Sequence, residues 1–304
     1  MRFAAPLCVL FVLTGCGGNA KMNTVVTPPP AAPTPPPVSF GISDSGSVNH
    51  ANTPIIGARV YLLAANTTGY GNASVSLLNP ALTGASDVIG AYVTTASDGS
   101  FSMTGDYTCV PKTQVYMYAL GGNSGTGENG ASGLLAVLGS CPSAGNFSSA
   151  NSVVINEVST VAAAYAMAGF ATDATHISSS GTALAQIGVT NAFANAANLS
   201  DFSGTALLNT PAGNGIVPQR GINTLANLLA TCVGSAGTTP GSATSTCAAL
   251  FANATADGAT TGAQPTDTAT ATINIAHYPA PNIADLYALA ITNASFAPVL
   301  FFSA

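Results

Sequence analysis

The chain has 304 residues, of which only 5% are charged, and its five basic and eleven acidic residues give a net charge of −6. The basic residues are not clustered, so the sequence lacks the electrostatic footprint that nucleic-acid binding requires, and we exclude that class of partner. The length is enough for one large or two small domains.

Residues 1–15 have the pattern of a secretory signal peptide. Arg2 precedes an apolar run, Phe3–Leu13, which is about half as long as a membrane-spanning helix. The sequence Leu13-Thr14-Gly15-Cys16 then resembles the lipobox of bacterial lipoproteins. In that family the cysteine sulfur receives a diacylglycerol and the chain is cut before the cysteine, so the resemblance implies that Cys16 anchors the chain to a lipid bilayer. The alternative is a signal peptide with a chance cysteine.

A proline-rich segment follows, and we expect residues 16–38 to be a lipidated tether. It contains the run Thr27–Pro37, TPPPAAPTPPP. Proline fixes φ and removes an amide donor, which favours an extended spacer. Gly17, a residue other than Asp after the cysteine, resembles the outer-membrane sorting signals of Gram-negative bacteria. We therefore expect the protein at the outer membrane, facing the periplasm or the exterior.

Four cysteines remain once Cys8 leaves with the signal peptide and Cys16 carries the lipid. An even number in an exported chain predicts disulfides, and three pairings are possible. Two separate domains would favour Cys109 with Cys141 and Cys232 with Cys247. Zinc is the alternative, but no pair has Cys-x-x-Cys spacing and no histidine lies close by in the sequence.

Residues 39–122 alternate with a period of two between turn signals, which predicts short antiparallel strands and an immunoglobulin-like β-sandwich. The Asp98-Gly99 pair supplies the positive φ of a tight turn. Strands are predicted at residues 57–62, 91–96, 100–103 and 114–119.

Three stretches of this region, PIIGARVYL, TTASDGSFSMTGDYTC and VYMYALGG, resemble the carboxypeptidase-regulatory-like, or transthyretin-like, β-sandwich. The resemblance implies a mostly non-catalytic accessory fold of exported proteins and provides no catalytic residues. Lys112 lies in a turn-like Pro-Lys-Thr, which does not fit the Lys–Asn crosslink of some related sandwiches. The matching positions are Pro54, Gly57-Ala58, Asp98-Gly99, Phe101 and Tyr107.

From residue 123 to 304 the apolar period changes to that of helices, which predicts a mainly helical domain. The complete prediction is an α+β protein, with an N-terminal antiparallel sandwich followed by helices. The apolar run Leu134–Leu138 is expected to start a helix, and Asp267–Tyr278 fits a helix or a strand, of which we favour the helix. Apolar faces predict further helices at residues 155–168, 222–232 and 283–290.

Two details concern helix starts. Asn282 is the expected N-cap of the last helix, with Asp285 in the capping-box position. Glu157 is expected on the polar side of the helix around residues 155–168, where a first-turn carboxylate favours the macrodipole or caps an amide.

Residues 40–300 also resemble, through an ordered set of motifs, the N-terminal module of large exported acidobacterial proteins that often continue into NHL-type propellers or immunoglobulin-like repeats. This chain departs from that pattern at Ala304, so we expect no ligand site of such repeats. The apolar ending FAPVLFFSA predicts a last buried strand or a contact with a partner. The motifs are VYMYALGG, LLAVLGSC, VVINEVSTVAAAYAMAGF, INTLANLLATC, CAALF and NIADLYALA.

The sequence contains few motifs that indicate a catalytic, cofactor or metal site. Gly125–Gly130 matches G-x-G-x-x-G, but no acidic residue follows about 20 residues later, so a flexible loop is expected instead of a dinucleotide site. His50, His176 and His277 are far apart and are expected to be surface or capping residues, with no cofactor and no metal.

Two acidic pairs, Asp98 with Asp106 and Asp44 with Asp87, are the candidates for the paired carboxylates of a glycosidase, although turn and loop roles are favoured. No G-x-S-x-G, H-E-x-x-H or P-loop motif is present. We therefore predict a non-catalytic binding or structural module for a glycan, a cell-envelope component or a protein. The alternatives are an envelope-associated hydrolase of a polymer and an accessory subunit of an uptake or assembly complex.

Overall fold

The computed structural model describes residues 45–50, 52–147, 152–238 and 245–301, which all belong to one compact unit. Within these ranges the chain forms largely antiparallel sheets and seven helices, so the predicted mixed α+β class is confirmed. The signal peptide, Cys16 and the proline-rich tether lie outside the described residues.

The described residues form eleven strands. The predicted strands at residues 57–62, 100–103 and 114–119 are confirmed, whereas only two residues of 91–96 pair as a strand. The bounds are Ser45–His50 (β1), Thr53–Pro54 (β2), Arg59–Ala64 (β3), Val75–Ser76 (β4), Val93–Thr94 (β5), Ser100–Ser102 (β6), Gln114–Leu120 (β7), Gly133–Ser140 (β8), Val154–Ile155 (β9), Ala171–Asp173 (β10) and His176–Ile177 (β11).

The larger sheet has the order β4-β3-β7-β8, with β5 also paired to β3. The predicted helix at Leu134–Leu138 is wrong, because these residues lie in β8 and pair along the length of β7. Leu134 and Leu135 point to opposite faces and both are fully buried. A strand covered on both faces is a continuous apolar run, which sequence periodicity does not distinguish from a buried helix. The predicted boundary between the two regions, at residue 122, lies in the loop between β7 and β8.

The smaller sheet has the order β2-β1-β6, and β9 runs parallel to β1. The predicted Asp98-Gly99 turn is present, with Gly99 at φ +75°. It does not join two paired strands, since β5 belongs to the larger sheet and β6 pairs with β1. The turn therefore carries the chain from one sheet to the other.

The two faces of the larger sheet contribute to different buried clusters. On one face Val60, Leu62 and Met117 share a cluster with Val48 and Phe101 of the smaller sheet. This alternation along β3 and β7 is the one that the period of two predicts.

The other face of the larger sheet carries tyrosines and is covered by helices. Tyr61, Tyr116 and Tyr118 share a cluster with Ala164 and Phe193, which lie on two of the helices that cover this face. The helical half therefore packs directly on the sheet. The helices are Pro80–Thr83 (α1), Glu157–Met167 (α2), Ala183–Leu199 (α3), Gln219–Val233 (α4), Thr246–Asn253 (α5), Thr268–His277 (α6) and Ile283–Ala290 (α7), with a 3₁₀ turn at Ala168–Phe170.

The helix predictions for α2, α4, α6 and α7 are confirmed, and the ambiguous segment from Asp267 is helical. Asp267 caps α6 by accepting a hydrogen bond from the Thr270 amide at 3.0 Å. Asn282 occupies the N-cap position of α7 as predicted, but its side chain makes no capping hydrogen bond. Asn282 has φ +56°, and its Nδ2 donates to the Asn253 carbonyl at 3.4 Å.

Both predicted disulfides are present. Cys109–Cys141 ties the segment after β6 to the end of β8, across 32 residues of sequence. Cys232–Cys247 joins the last turn of α4 to the first turn of α5, across 15 residues. These are the pairings that the division into two regions favoured.

The predicted last strand is wrong for residues 296–301, which have no strand pairing. Polar side chains of α4 hold the backbone of this segment instead. Thr224 accepts from the Leu300 amide at 2.9 Å, and Arg220 donates to the Val299 carbonyl at 3.3 Å. Phe301 is 79% exposed.

Candidate functional site

A cleft of about 290 Å³ opens where the end of β1, the start of α2, the loop before α4 and the C-terminal segment meet. We call it the amide cleft, because its most frequent polar side chains are carboxamides. No charged residue lines it among the parts of the chain that the structure describes. The carboxamides are Asn49, Asn52, Asn156, Gln219 and Asn223.

Asn156 forms a fixed wall of the amide cleft. Its Oδ1 accepts from the Ser159 amide at 2.9 Å, and the Ser159 hydroxyl accepts from the Asn156 amide, so the pair closes a capping box at the start of α2. Its Nδ2 donates to the Gly204 carbonyl at 3.0 Å. Since Asn156 is 6% exposed and bonded at both ends of its amide, we infer that it shapes the cleft and does not bind a ligand itself.

Gln219 and Asn223 approach the cleft from one face of α4, four residues apart. Gln219 Nε2 donates to the Ala206 carbonyl at 2.8 Å, and Asn223 Nδ2 donates to the Pro298 carbonyl at 3.1 Å. A carbonyl only accepts, so these contacts fix which end of each amide is nitrogen. Within the described residues neither side-chain oxygen accepts a hydrogen bond, although Asn223 is only 4% exposed.

Asn227, one turn further along α4, fixes the aromatic wall of the cleft. Its Nδ2 donates to the Phe296 carbonyl at 2.8 Å, and its Oδ1 accepts from the Phe296 amide at 2.9 Å. Asn227 is fully buried, while Phe296 is half-buried and lines the cleft. The two bonds satisfy the backbone N–H and C=O of Phe296, as a neighbouring strand would, and hold this residue against α4.

A buried contact between a histidine and a carboxyl group lies beside the amide cleft. His50 Nδ1 is 2.6 Å from Glu157 Oε1, and the side chain of Glu157 has no exposed surface. The expectation that Glu157 lies on the polar side of α2 is therefore wrong. Their chain neighbours Asn49 and Asn156 both line the cleft, so this pair joins β1 to α2 at the cleft wall.

A second cavity, of about 390 Å³, brings together Tyr118, Asp173 and Asp267. We call it the carboxylate cavity. Asp173 bonds His176 Nδ1 at 2.9 Å and accepts from the Thr175 amide at 2.8 Å. Asp267 reaches the cavity from the start of α6, against Gly133, where a β-carbon would overlap the carboxylate.

The two carboxyl groups of the carboxylate cavity titrate differently. Burial raises the pKa of Asp267, against hydrogen bonds from Thr270. Burial acts in the same direction on Asp173, but hydrogen bonds from His176 and Thr175 outweigh it and lower its pKa. Burial and the charge of Asp267 raise the pKa of Tyr118 well above its usual value.

The sequence analysis favoured turn and loop roles for the two acidic pairs, and Asp98 has such a role. Asp98 accepts from the Ser100 amide and hydroxyl within its own turn, and Asp44 lies outside the described residues. Asp106 keeps one buried oxygen without a hydrogen bond in the described part of the chain. Asp87 instead pairs with Arg59 at 2.6 Å.

The glycine motif and the histidines provide no cofactor site in the described ranges. The amides of Gly125 and Gly127 both donate to Asn123 Oδ1, at 2.7 and 3.1 Å, so they face a side chain of their own loop. His277 contacts the Ala168 carbonyl, and residues 45–301, apart from their undescribed gaps, contain no group of His, Cys, Asp and Glu that fits a metal ion.

Sequence reasoning missed the amide cleft and the carboxylate cavity. A polar row was visible on α4, because Gln219, Asn223 and Asn227 recur every four residues beside the apolar face used to predict the helix. The local pattern of α4 does not reveal the carbonyls that orient these amides. Those carbonyls belong to a loop and to the C-terminal segment, up to about 75 residues away in sequence.

Comparison with protein-family models, with curated proteins and with solved structures gave no match to this chain. None of the helices in the described residues is long and apolar enough to cross a membrane.

Proposed function

We propose that this chain is an exported lipoprotein of the bacterial envelope that acts as a non-catalytic binding module. The lipobox-like Leu13-Thr14-Gly15-Cys16 and the proline-rich tether after it support the anchor at Cys16. The two disulfides support an oxidising compartment, since such bonds persist mainly in exported proteins. Gly17 favours the outer membrane.

The proposed architecture is a transthyretin-like sandwich that begins in residues 39–122, takes in β8 and β9 of residues 123–304, and is covered by the helices of that second region. The buried cluster shared by the two sheets supports the sandwich. The resemblance to the N-terminal modules of exported acidobacterial proteins supports the order of the two regions. Such sandwiches are mostly accessory, which is consistent with a binding role.

One observation supports binding most directly, namely the chemistry of the amide cleft. It is concave, it has no charged lining residue in the described chain, and two of its amide oxygens have no hydrogen-bond partner there. Preformed pockets with a few oriented polar groups are typical of ligand sites. We propose this cleft as the contact with a glycan, an envelope component or a protein outside the cytoplasm.

The anchor is tested by labelling cells with a palmitate analogue. The wild-type chain should be labelled and should fractionate with the outer membrane, whereas Cys16→Ala should lose both properties. Cys8→Ala is the matched control, because Cys8 lies in the predicted signal peptide. Equal labelling of wild type and Cys16→Ala would refute the anchor. The non-catalytic binding role is tested separately. The purified protein should be retained on envelope polymer and should not hydrolyse esters, peptides or glycosides.

A hydrolase is the second candidate, and the carboxylate cavity favours it. Asp173 and Asp267 line one cavity with pKa values moved in opposite directions, an arrangement that separates a proton donor from a base. Turnover of an envelope polymer that disappears in both Asp173→Asn and Asp267→Asn, but persists in Asp98→Asn, would establish this candidate and overturn the non-catalytic proposal.

A further inference from the structure

The polar groups of the amide cleft specify a class of ligand. We propose that the cleft binds one residue of a neutral glycan, with Gln219 and Asn223 accepting hydrogen bonds from its hydroxyl groups. This inference depends on the proposed binding function and identifies the chemistry of its ligand.

The charge of the lining limits which ligands the amide cleft can bind. A site for a phosphate or carboxylate group requires cationic side chains or free amides, and a site for an amine requires carboxylates. The described lining of the amide cleft contains neither cationic nor anionic side chains. This lining therefore favours a neutral ligand over phosphorylated and acidic sugars.

The hydrogen-bond polarity of the lining limits the ligand further. Gln219 and Asn223 each use the amide nitrogen on a protein carbonyl, so each offers the cleft an acceptor oxygen. Among the described residues the enclosed side-chain atoms without a partner belong to Ser76 and Asp106, so the Asn223 oxygen is reached by solvent, and a donor that arrives with the ligand can bond it. Sugar hydroxyls are neutral donors of this kind.

The amide cleft also has an apolar side. A pyranose ring presents a face of C–H groups beside its hydroxyls, and such a ligand needs an apolar surface as well as polar contacts. Phe296, half-buried and held by Asn227, is an apolar residue that lines the same cleft, together with Val154 and Ala297. A volume of about 290 Å³ lies at the small end of ligand sites, which suits one sugar residue better than an extended chain.

The experiment is isothermal titration calorimetry of the purified protein with neutral trisaccharides, namely cellotriose, maltotriose, mannotriose and N-acetylchitotriose. Trigalacturonate is the charged comparison. The wild-type chain should bind at least one neutral trisaccharide and should not bind trigalacturonate. Failure to bind any of the four neutral sugars, or equal binding of trigalacturonate, would overturn the inference.

Variants locate the binding to the cleft. Gln219→Met and Asn223→Leu each remove one acceptor oxygen, together with the amide that donates to the Ala206 or Pro298 carbonyl, and should weaken binding about tenfold or more. Gln186→Met makes the same change at an exposed position of α3, where the side-chain amide donates to the Gly181 carbonyl, and should alter affinity by less than about twofold. Should Asn223→Leu fail to fold, Gln219→Met still decides the outcome. Unchanged affinity in Gln219→Met would refute the assigned role.

The two proposals fail in different ways. A chain that is labelled at Cys16 and retained on envelope material, yet binds no neutral sugar, overturns this inference and leaves the envelope binding function. A chain that binds a neutral sugar but is not labelled at Cys16 retains the glycan site and loses the anchor.

Discussion

His50 Nδ1 lies 2.6 Å from Oε1 of Glu157, a carboxylate whose side chain has no exposed surface. His50→Ala removes one hydrogen-bond partner from a fully buried carboxylate, which costs more than the same loss at the surface. We therefore predict that His50→Ala lowers the free energy of unfolding by about 2 kcal/mol. Urea denaturation followed by circular dichroism measures the change.

His176 is the matched control for His50. It forms the same type of contact, at 2.9 Å from Asp173, but both side chains are more than one-third exposed. Exposed pairs contribute little, so His176→Ala should cost less than about 1 kcal/mol. Equal losses in the two variants would show that burial of Glu157 does not make its contact with His50 special.

Asp87 is expected to stabilise the fold only when it is ionised. Arg59 and the Tyr61 hydroxyl contact the same oxygen of Asp87, at 2.6 and 2.5 Å. Burial favours the neutral acid, but the hydrogen bonds from Tyr61 and Ile89 and the charge of Arg59 outweigh it, so the pKa of Asp87 is lowered. Its stabilisation is therefore present above the ordinary pKa of 3.8 and is lost as pH falls through the lower folded value.

The corresponding variant is Asp87→Asn. Near neutral pH it should lower the free energy of unfolding by about 2 kcal/mol, the range for a hydrogen bond to a charged group. At a pH low enough to protonate the carboxyl in both the folded and the unfolded state, the variant and the wild type should differ little. Urea titrations at both pH values test this, and a loss that is independent of pH would refute the electrostatic cause.

The sequence predicted local structure where a single period dominates. Alternation identified β3 and β7, and the apolar face of α4 identified that helix. It was wrong at β8, whose residues are buried on both faces, and at Glu157, whose partner His50 is 107 residues away. Both errors concern contacts between distant segments, which local periodicity does not contain.

The disulfide pairs could be predicted from sequence, whereas the two sites could not. The even set of four cysteines predicted disulfides, and the division into two regions favoured the observed pairs among three possible pairings. Neither the amide cleft nor the carboxylate cavity followed from sequence, because each draws its polar groups from separate elements. Asp173 and Asp267, for example, come from β10 and the start of α6.

Asp267 should have the opposite pH dependence to Asp87. Burial raises its folded pKa above the ordinary 3.8, so the fold favours the neutral acid and loses this stabilisation as pH rises through the raised value. Asn at this position keeps the neutral state and can accept the Thr270 amide. We predict that Asp267→Asn gains stability relative to the wild type as pH increases from acidic to neutral, the reverse of Asp87→Asn.

Urea titrations of Asp267→Asn across that range provide the measurement. The difference in unfolding free energy between the variant and the wild type should be smallest below about pH 3.8 and should grow in favour of the variant above it. A difference that shrinks with rising pH would show that Asp267 is stabilised as the carboxylate, contrary to the dominance of burial.

Asn227 is expected to control the C-terminal segment and, through it, the amide cleft. Its side chain makes both backbone bonds to Phe296 and is fully buried. Asn227→Ala removes both partners, so the free energy of unfolding should fall by about 2–3 kcal/mol and amide hydrogen exchange at Phe296 should accelerate. Asn195→Ala, on exposed α3 with one 3.4 Å contact to Asn198, should cost less than about 0.5 kcal/mol. Unchanged exchange at Phe296 in Asn227→Ala would mean that the other α4 contacts, from Arg220, Asn223 and Thr224, hold the segment by themselves.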